Sequence, residues 1–360
     1  MTINEFDVCI IGSGPAGAAV AKALTGSGLK TVILEKQKLP RYKMCSGMLF
    51  PEAQAIIRRT FGEIPEKVMS TPRTFKGIRL YPTKDTPPDK PLEILMPSPL
   101  FSKEPGLVNY LLNVSRAGLD YWLCTQSDAT ILDNCTIRKL VKKDGKIVIR
   151  IDQEAKDVEI HARYLVGADG GQSMVRKKFF SDDSKPIAQI PAYEEHYTGS
   201  VNLDTEQWFY AFLDPEFSQG FASFHQKDNR LIAVTGVLEG RLLKSYFDKF
   251  RAHLEQAHGL VVKERVHSYG IVLTDMCFRG DFRLGEDNVL LCGEAAGFMR
   301  FFTEGITTAL ITGLKAGESI LKHAKAGGNL IEMYAEAVAP EIKVVTEQHM
   351  QYASVIASMI

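Results

Sequence analysis

Hydrophobic positions first cluster at Phe6-Asp7-Val8-Cys9-Ile10-Ile11, an apolar run of strand length that stops at Gly12. Gly12-Ser13-Gly14-Pro15-Ala16-Gly17 follows, and residues 18–24 read as an alanine-rich helix stopped by Gly26 and Gly28. A second apolar run, Lys30-Thr31-Val32-Ile33-Leu34-Glu35, completes a strand–helix–strand unit of the usual length, about 30 residues. Beyond it the pattern loosens. Residues 77–80 and 92–95 predict strands around a loop at 81–91 rich in Pro, Asp and Lys. Residues 107–117 have helical spacing, with Gly118 just past the end. Short alternating strands follow at 146–151 and 158–161, then Tyr164-Leu165-Val166. Residues 194–237 read as strands and turns, carrying Trp208, Phe209, Tyr210, Phe212, Phe221 and Phe224. Residues 243–258 predict a helix, 288–292 a buried strand ending at Gly293, and 306–324 and 330–352 two further helices.

Composition narrows the function. At 360 residues the chain suggests about two domains, and its 45% hydrophobic and 24% charged residues are ordinary for a soluble globular protein. Lys+Arg 43 balances Asp+Glu 43, so no long-range field favours nucleic acid. The six cysteines are scattered with no CxxC pair, which speaks against zinc, an iron–sulfur cluster or a disulfide framework. A reducing cytoplasm is the expected compartment. Met1 to Asp7 carries Glu5 and Asp7 in place of a secretory positive flank, and no run of about 18 apolar residues predicts a membrane span.

Three motifs carry candidate chemistry. The first is Gly12-x-Gly14-x-x-Gly17, with Glu35 ending the next strand. Gly12 permits a tight turn, Gly14 lets a pyrophosphate approach the backbone, and Gly17 lets helix pack on strand. The helix beginning near Ala16 offers free N–H groups to phosphate, and Glu35 can accept from a ribose diol. The bland alternative is a structural glycine turn, but strand, triplet, helix, strand and acid occur in order. The second motif is Gly167-Ala168-Asp169-Gly170 after a strand, followed by Ser173, Val175 and Arg176; alone it is also an ordinary Asp-Gly turn. In the third, Cys292-Gly293-Glu294-Ala295-Ala296-Gly297 leads to Glu304-Gly305-Ile306 and a long helix. Glu294 can hold ribitol hydroxyls, and the helix end can stabilise negative charge on a reduced flavin. An incidental Glu on a strand–loop–helix is the plain alternative. A second sugar-binding constellation in one chain favours FAD over a nicotinamide.

Together these residues resemble FAD-dependent oxidoreductases of the para-hydroxybenzoate hydroxylase type, and within them the geranylgeranyl reductase family. The stretch Leu39-Pro40-Arg41-Tyr42-Lys43-Met44-Cys45-Ser46-Gly47-Met48-Leu49 is similar to that family's Pro-Arg-x-Lys-x-Cys-Gly-Gly segment over the flavin, with Ser46 at the first paired glycine. The resemblance covers roughly residues 4–60 and 160–325. It implies that Gly12, Gly14, Pro15, Ala16 and Gly17 line the pyrophosphate, with Glu35 and Lys36 at the adenosine ribose. It further implies Arg41 near the phosphates or ribose, and Ser46 and Gly47 along the isoalloxazine. Asp169 and Gly170 match the family's Asp-Gly element, Glu294 stands at its ribitol-binding Asp, and Gly305 and Ile306 offer N–H groups to the pyrimidine edge. Residues 298–303 lack the usual proline, residues 220–227 lack the aromatic–proline substrate motif, and the arginine expected before the helix at 107–117 is missing, Lys103 being a poor substitute. No Trp-x-Trp-x-Ile-Pro element supports a flavin halogenase.

The expected architecture is α/β: a Rossmann-like FAD-binding domain (1–75, 100–185 and 265–325), an inserted sheet-containing substrate domain (76–99 and 186–264) and a C-terminal helical cap (326–360). The expected function is an FAD-dependent oxidoreductase reducing carbon–carbon double bonds of an apolar, isoprenoid-type substrate. A monooxygenase acting on a small aromatic or polyketide is the alternative, and a flavin-bearing binding or stress-resistance protein without turnover a second one. The cofactor does the hydride chemistry, fed by NAD(P)H, ferredoxin or quinol. Cys45 is a candidate redox group or proton donor on the flavin face, although cysteine is also a common small core residue. His196, His225 and Tyr210 are candidate proton donors, against a structural role for each. The aromatics from Trp208 to Phe224 suit either an apolar pocket or a sheet core. Lys142-Lys143 and Arg176-Lys177-Lys178 read as solvated charge, and the apolar residues 350–360 as packing on the body, a partner or a membrane surface.

Overall fold

The computed structural model describes residues 2–180, 186–238 and 240–359, without side chains at 2, 3, 241 and 352–359. The apolar side chains expected to pack from 352 onward thus lie outside the described residues. Strand β1 (Thr2–Ile11) is buried from Val8 onward and feeds α1 (Pro15–Leu24), which starts on a proline whose missing N–H costs nothing at that position. Then come β2 (Thr31–Leu34), β3 (Met48–Leu49), α2 (Pro51–Phe61), β4 (Met69–Phe75), β5 (Gly77–Tyr81), β6 (Leu92–Leu95), β7 (Leu111–Val114) and α3 (Arg116–Thr125). The chain continues through β8 (Thr130–Leu132), β9 (Cys135–Lys143), β10 (Lys146–Gln153), β11 (Lys156–Gly167) and α4 (Met174–Phe179). Next are β12 (Gln189–Ser200), β13 (Trp208–Phe212), β14 (Ala222–Lys227), β15 (Arg230–Gly236), α5 (Leu243–His258) and β16 (Val261–Thr274). The last elements are β17 (Gly285–Glu286), β18 (Val289–Leu291), α6 (Ile306–Ala326) and α7 (Leu330–Met359).

The strands form three sheets. The largest has eight strands in the order β17-β18-β11-β1-β2-β8, with β10 beside β11 and β9 beside β10. Its central strands β2, β1, β11 and β18 run parallel. Helix α6 lies against α1 at close range, because a Cβ at Gly313 would sit 2.3 Å from the Ala16 carbonyl oxygen. The second sheet has seven strands in the order β16-β12-β15-β14-β13-β5-β6, and a small sheet β3-β7-β4 is the third.

Strand alternation gives the seven-stranded sheet two different faces. Tyr197, Trp208, Tyr210, Phe212 and Phe224 pack outward on Phe247, Phe250 and Leu254 of α5. Ile78, Leu80, Phe209 and Ala211 point the other way, onto Met48, Phe50, Met96 and Phe101. Trp208, Tyr210, Phe212 and Phe224 are therefore the sheet core under α5, and Phe209 packs into the apolar cluster on the other face.

Two expectations need correction. Residues 107–117 are not a helix: Leu111–Val114 is a fully buried strand paired with β3 and β4, and the helix begins at Arg116. Ser115 caps it, its Oγ accepting from Gly118 N at 3.3 Å, and Gly118 lies inside the helix, where a Cβ would come within 3.3 Å of Val68. The division drawn at 264/265 falls inside β16, which pairs with β12 from Ser200↔Val261 to Gln189↔Thr274. Among the described residues, no helix is long and apolar enough to cross a membrane.

Candidate functional site

Parallel register brings the three motifs to one place. Ile11 pairs with Leu34 and with Gly167, and Gly167 pairs with Leu291. The residues that follow, Gly12, Glu35, Ala168-Asp169 and Cys292-Gly293-Glu294, therefore emerge together at the carboxyl ends of the strands, where open α/β sheets bind ligands. Backbone closeness shapes this edge. Gly12 has φ +108°, and a Cβ there would lie 2.4 Å from the Ala168 oxygen; a Cβ at Gly17 would lie 2.0 Å from the Gly12 oxygen. Over Gly14, by contrast, only the Arg41 guanidinium comes near, at 3.9 Å, which leaves open ground before Pro15 and Ala16 at the start of α1.

A line of buried charge runs away from this turn. Glu35 Oε2 accepts from Ser13 N at 3.2 Å and Ser13 Oγ at 2.7 Å and pairs with Arg41 Nε at 3.0 Å; Oε1 accepts from Gln37 N at 3.1 Å. Burial raises the Glu35 carboxyl, but Arg41 and these hydrogen bonds outweigh it and hold it below the ordinary value. Arg41 Nη1 reaches Asp120 at 3.2 Å, and Asp120 takes a two-pronged contact from Arg116 at 2.9 and 3.0 Å. Arg116, which no sequence reading singled out, opens α3. It was hidden because the helical spacing at 107–117 pointed upstream. Lys36 is exposed and takes no part in this line.

Glu294 lies against the tight turn at Gly170-Gly171 that follows Asp169. Asp169 Oδ2 accepts from Met174 N at 2.7 Å, while its Oδ1 is buried without a partner. Glu294 Oε1 is likewise buried and unpartnered, and a Cβ at Gly171 would sit 2.4 Å from it. Burial pushes both carboxyls above their ordinary values. Arg176 ties the two turns together by donating to Ala295 O at 2.7 Å and to Gly171 O. It is only 3% exposed, so the solvated charge expected at 176–178 is a property of Lys177 and Lys178 alone. Gly170, with φ +76°, makes the turn that presents Asp169.

The segment at 45–47 crosses from this edge toward the second sheet. A Cβ at Gly47 would lie 2.1 Å from Val114 O, and Lys227 Nζ donates to Ser46 O. Burial raises the Cys45 thiol, but Arg116, Lys43 and Lys227 outweigh it, and the net shift is downward. Burial, reinforced by Arg116, lowers Lys227 to about 8.

Beyond it lies the inner face of the seven-stranded sheet, and its polarity changes from one side to the other. On the β16–β12 side, Glu194 Oε1 accepts from Tyr42 Oη and lies 3.0 Å from His196 Nε2, and Tyr42 stacks on Tyr269 at 4.0 Å. His196 registers with Ile232, which registers with His225. His225 is fully buried, its pKa falls well below the ordinary value through burial, and its ring lies 5.2 Å from Phe209. From Phe209 outward the face is apolar. Tyr210 belongs to the opposite face and does not join His196 and His225. A small open pocket lies beside the apolar part, lined by Phe50, Met96, Phe101, Arg300, Glu304 and Thr307.

At the start of α6 the geometry departs from expectation. Ile306 N–H is already taken by Glu304 Oε1 at 3.1 Å, whereas a Cβ on Gly305 would meet nothing within 4 Å. Among the described residues no cluster of His, Cys, Asp or Glu could hold a metal ion.

The open ground over Gly14 and the unpartnered buried atoms of Asp169, Glu294 and Arg176 fit an extended ligand rich in phosphate and hydroxyl oxygens. The matched FAD-binding domain and the similar flavoenzyme structures support an FAD-dependent oxidoreductase. A family model described as FAD binding domain matches residues 5–57 and 126–220. Protein CbrA of Escherichia coli O9:H4 (strain HS) is 27% identical over 317 residues, covering 86% of this chain and 79% of that protein. A geranylgeranyl bacteriochlorophyll reductase-like protein from Thermoplasma acidophilum has a similar structure, with TM-score 0.76, 16% identity, and coverage of 99% of this chain and 88% of that one. PqsL of Pseudomonas aeruginosa, a probable FAD-dependent monooxygenase, is also similar, with TM-score 0.69, 17% identity, and coverage of 99% and 97%.

Proposed function

We propose that this oxidoreductase reduces carbon–carbon double bonds of an apolar, isoprenoid-like substrate. The observation that carries the proposal is the apolar pocket wall of Phe50, Met96 and Phe101, which rests on the packed inner sheet face of Ile78, Leu80, Phe209 and Ala211 close to the 45–47 segment. A greasy chain laid there loses water on both sides, and each buried methylene contributes about 0.8 kcal/mol. FAD, when bound, supplies the hydride. In this reading the glycines at 12, 14 and 17 and the start of α1 receive the pyrophosphate, and Glu35 and Arg41 hold the adenosine ribose. Asp169, Gly170 and Glu294 face the ribitol and phosphates. Ser46 and Gly47 approach the ring through their backbone, with the start of α6 at its pyrimidine edge. Cys45, flanked by Arg116 and Lys227, is the proton-bearing group beside the ring. Anaerobically reduced protein should add two hydrogens per double bond to a polyprenyl alcohol, read by mass spectrometry. Full flavin oxidation or reduction with no mass change in any polyprenyl chain would overturn the proposal.

The polar half of the same face favours a second reading. Tyr42, Glu194 and His196 suit the phenol or carbonyl of a small aromatic, as a hydroxylating enzyme requires. Oxygen uptake strictly coupled to an aromatic substrate would decide for it.

A further inference from the structure

The first turn of α6 is capped by its own chain. Glu304 Oε1 accepts from the backbone N–H of Ile306 at 3.1 Å and of Thr307 at 2.9 Å, and the side chain is buried. A helix N-terminus carries about half a positive charge and favours an anion. Here the anion is already built in. Under the reading above, the same helix end meets the pyrimidine edge of the flavin, the part that gains negative charge on reduction. Two negative charges would then share one helix end, an expensive arrangement where the dielectric is low.

The surrounding charges do not remove the conflict. The groups facing Glu304 are Arg300 from its own turn, Glu52 from α2 and Glu341 from α7. Arg300 donates its backbone N–H to Glu304 O at 2.8 Å, but its guanidinium is committed elsewhere. It bonds Glu341 at 2.8 and 2.7 Å and Glu52 at 2.7 and 3.2 Å. The one guanidinium therefore bonds two carboxylates, and Glu304 feels its charge without a direct bond to it. Burial raises the Glu304 carboxyl and Arg300 pulls it back, so its protonation is open to a new charge beside it.

We propose that Glu304 takes up a proton when the flavin is reduced, so that the helix end carries one negative charge in both redox states. The electron donor gives two electrons; one proton goes to the flavin and a second, from solvent, to Glu304. The second proton belongs to the interacting pair, and the observable is the total taken up.

This inference rests on the placement of the flavin at α6, and the test separates the two. The FAD-loaded protein is titrated with dithionite against a reference dye at several pH values between 7 and 9. For a two-electron couple a tenfold change in equilibrium constant is about 30 mV. Two protons per two electrons change the constant a hundredfold per pH unit, about 60 mV, and one proton tenfold, about 30 mV. The wild type and Glu304→Asp should follow the steeper slope and Glu304→Gln the shallower one. A wild-type slope of about 30 mV, or a flavin-loaded Glu304→Gln that keeps about 60 mV, overturns the inference alone. The wild-type slope requires no variant, so it decides even if Glu304→Gln folds poorly. A protein that binds no FAD overturns the reading beneath it as well.

Discussion

At the carboxyl end of the eight-stranded sheet the walls are backbone: the Ala168 oxygen stands where a side chain on Gly12 would go, and the Gly12 oxygen where one on Gly17 would go. On the inner face of the seven-stranded sheet the walls are side chains, and neighbouring positions alternate between an enclosed core under α5 and the face toward 45–50. The first region recognises by shape that only glycine permits, so a single methyl group is too much. The second grades in polarity across paired strands, from Glu194 and His196 to Phe209 and Ile78. A fixed cofactor and a variable substrate call for that difference.

The sharpest way to break this contrast is at the glycines. Gly17→Ala and Gly12→Ala must each displace backbone, and the loss should be about 3 kcal/mol with bound FAD gone. Flavin content and urea midpoints check this, and a variant with wild-type flavin content would remove the backbone-wall account. Of comparable or slightly smaller size is Phe212→Ala on the α5 face, expected to cost about 3 kcal/mol as an enclosed core deletion. Its counterpart Phe221→Ala, half-buried against Phe302, should cost about 1 kcal/mol, keep FAD and raise KM for an apolar substrate. Equal stability losses in the two variants would show that the faces are not different in kind.

A third measurement sharpens the border between the regions. Burial raises Cys9, Cys124, Cys135, Cys277 and Cys292, so alkylation near neutral pH reports Cys45. Arg116→Met removes a cation that favours the Cys45 thiolate, and alkylation of Cys45 near neutral pH should slow several-fold. An unchanged rate would show that Arg116 does not act on the thiol. The smallest effect concerns Lys227, which releases its proton at about 8 in the folded protein and at its ordinary value of 10.5 in the unfolded chain. Between these values the unfolded chain binds more protons, so this residue makes stability rise with pH across that window. Lys227→Met should flatten that rise in urea midpoints taken from pH 8 to 10; an unaltered profile would mean that Lys227 is not buried with its charge.

Much of the cofactor edge was readable from the chain because its causes are short-range. A tight turn, a close helix and a following acid sit within one strand–helix–strand unit, and Gly12, Gly14, Gly17 and Glu35 could be named from spacing. Helix α5 was also legible throughout, since its apolar positions repeat on one face over residues 243–258. Arg116 and Arg176 were not. Arg116 pairs with Asp120 one helical turn on, a spacing hidden by the helix expected at 107–117, and its burial beside Cys45 is a long-range contact; Arg176 is buried because the Gly171 carbonyl and the sequence-distant Ala295 carbonyl satisfy it.

The sequence by itself determined the dinucleotide-binding frame, the parallel strands of its core and the places where the chain turns, because backbone sterics and apolar periodicity act over a few residues. Tertiary structure decided which face each aromatic of β13 and β14 serves, that β16 closes the second sheet, and that Glu304 turns back on its own helix. Those outcomes depend on register between strands far apart in sequence and on which charges share a dry interior. Interactions of that kind are set by distances in space, and spacing along the chain carries no record of them.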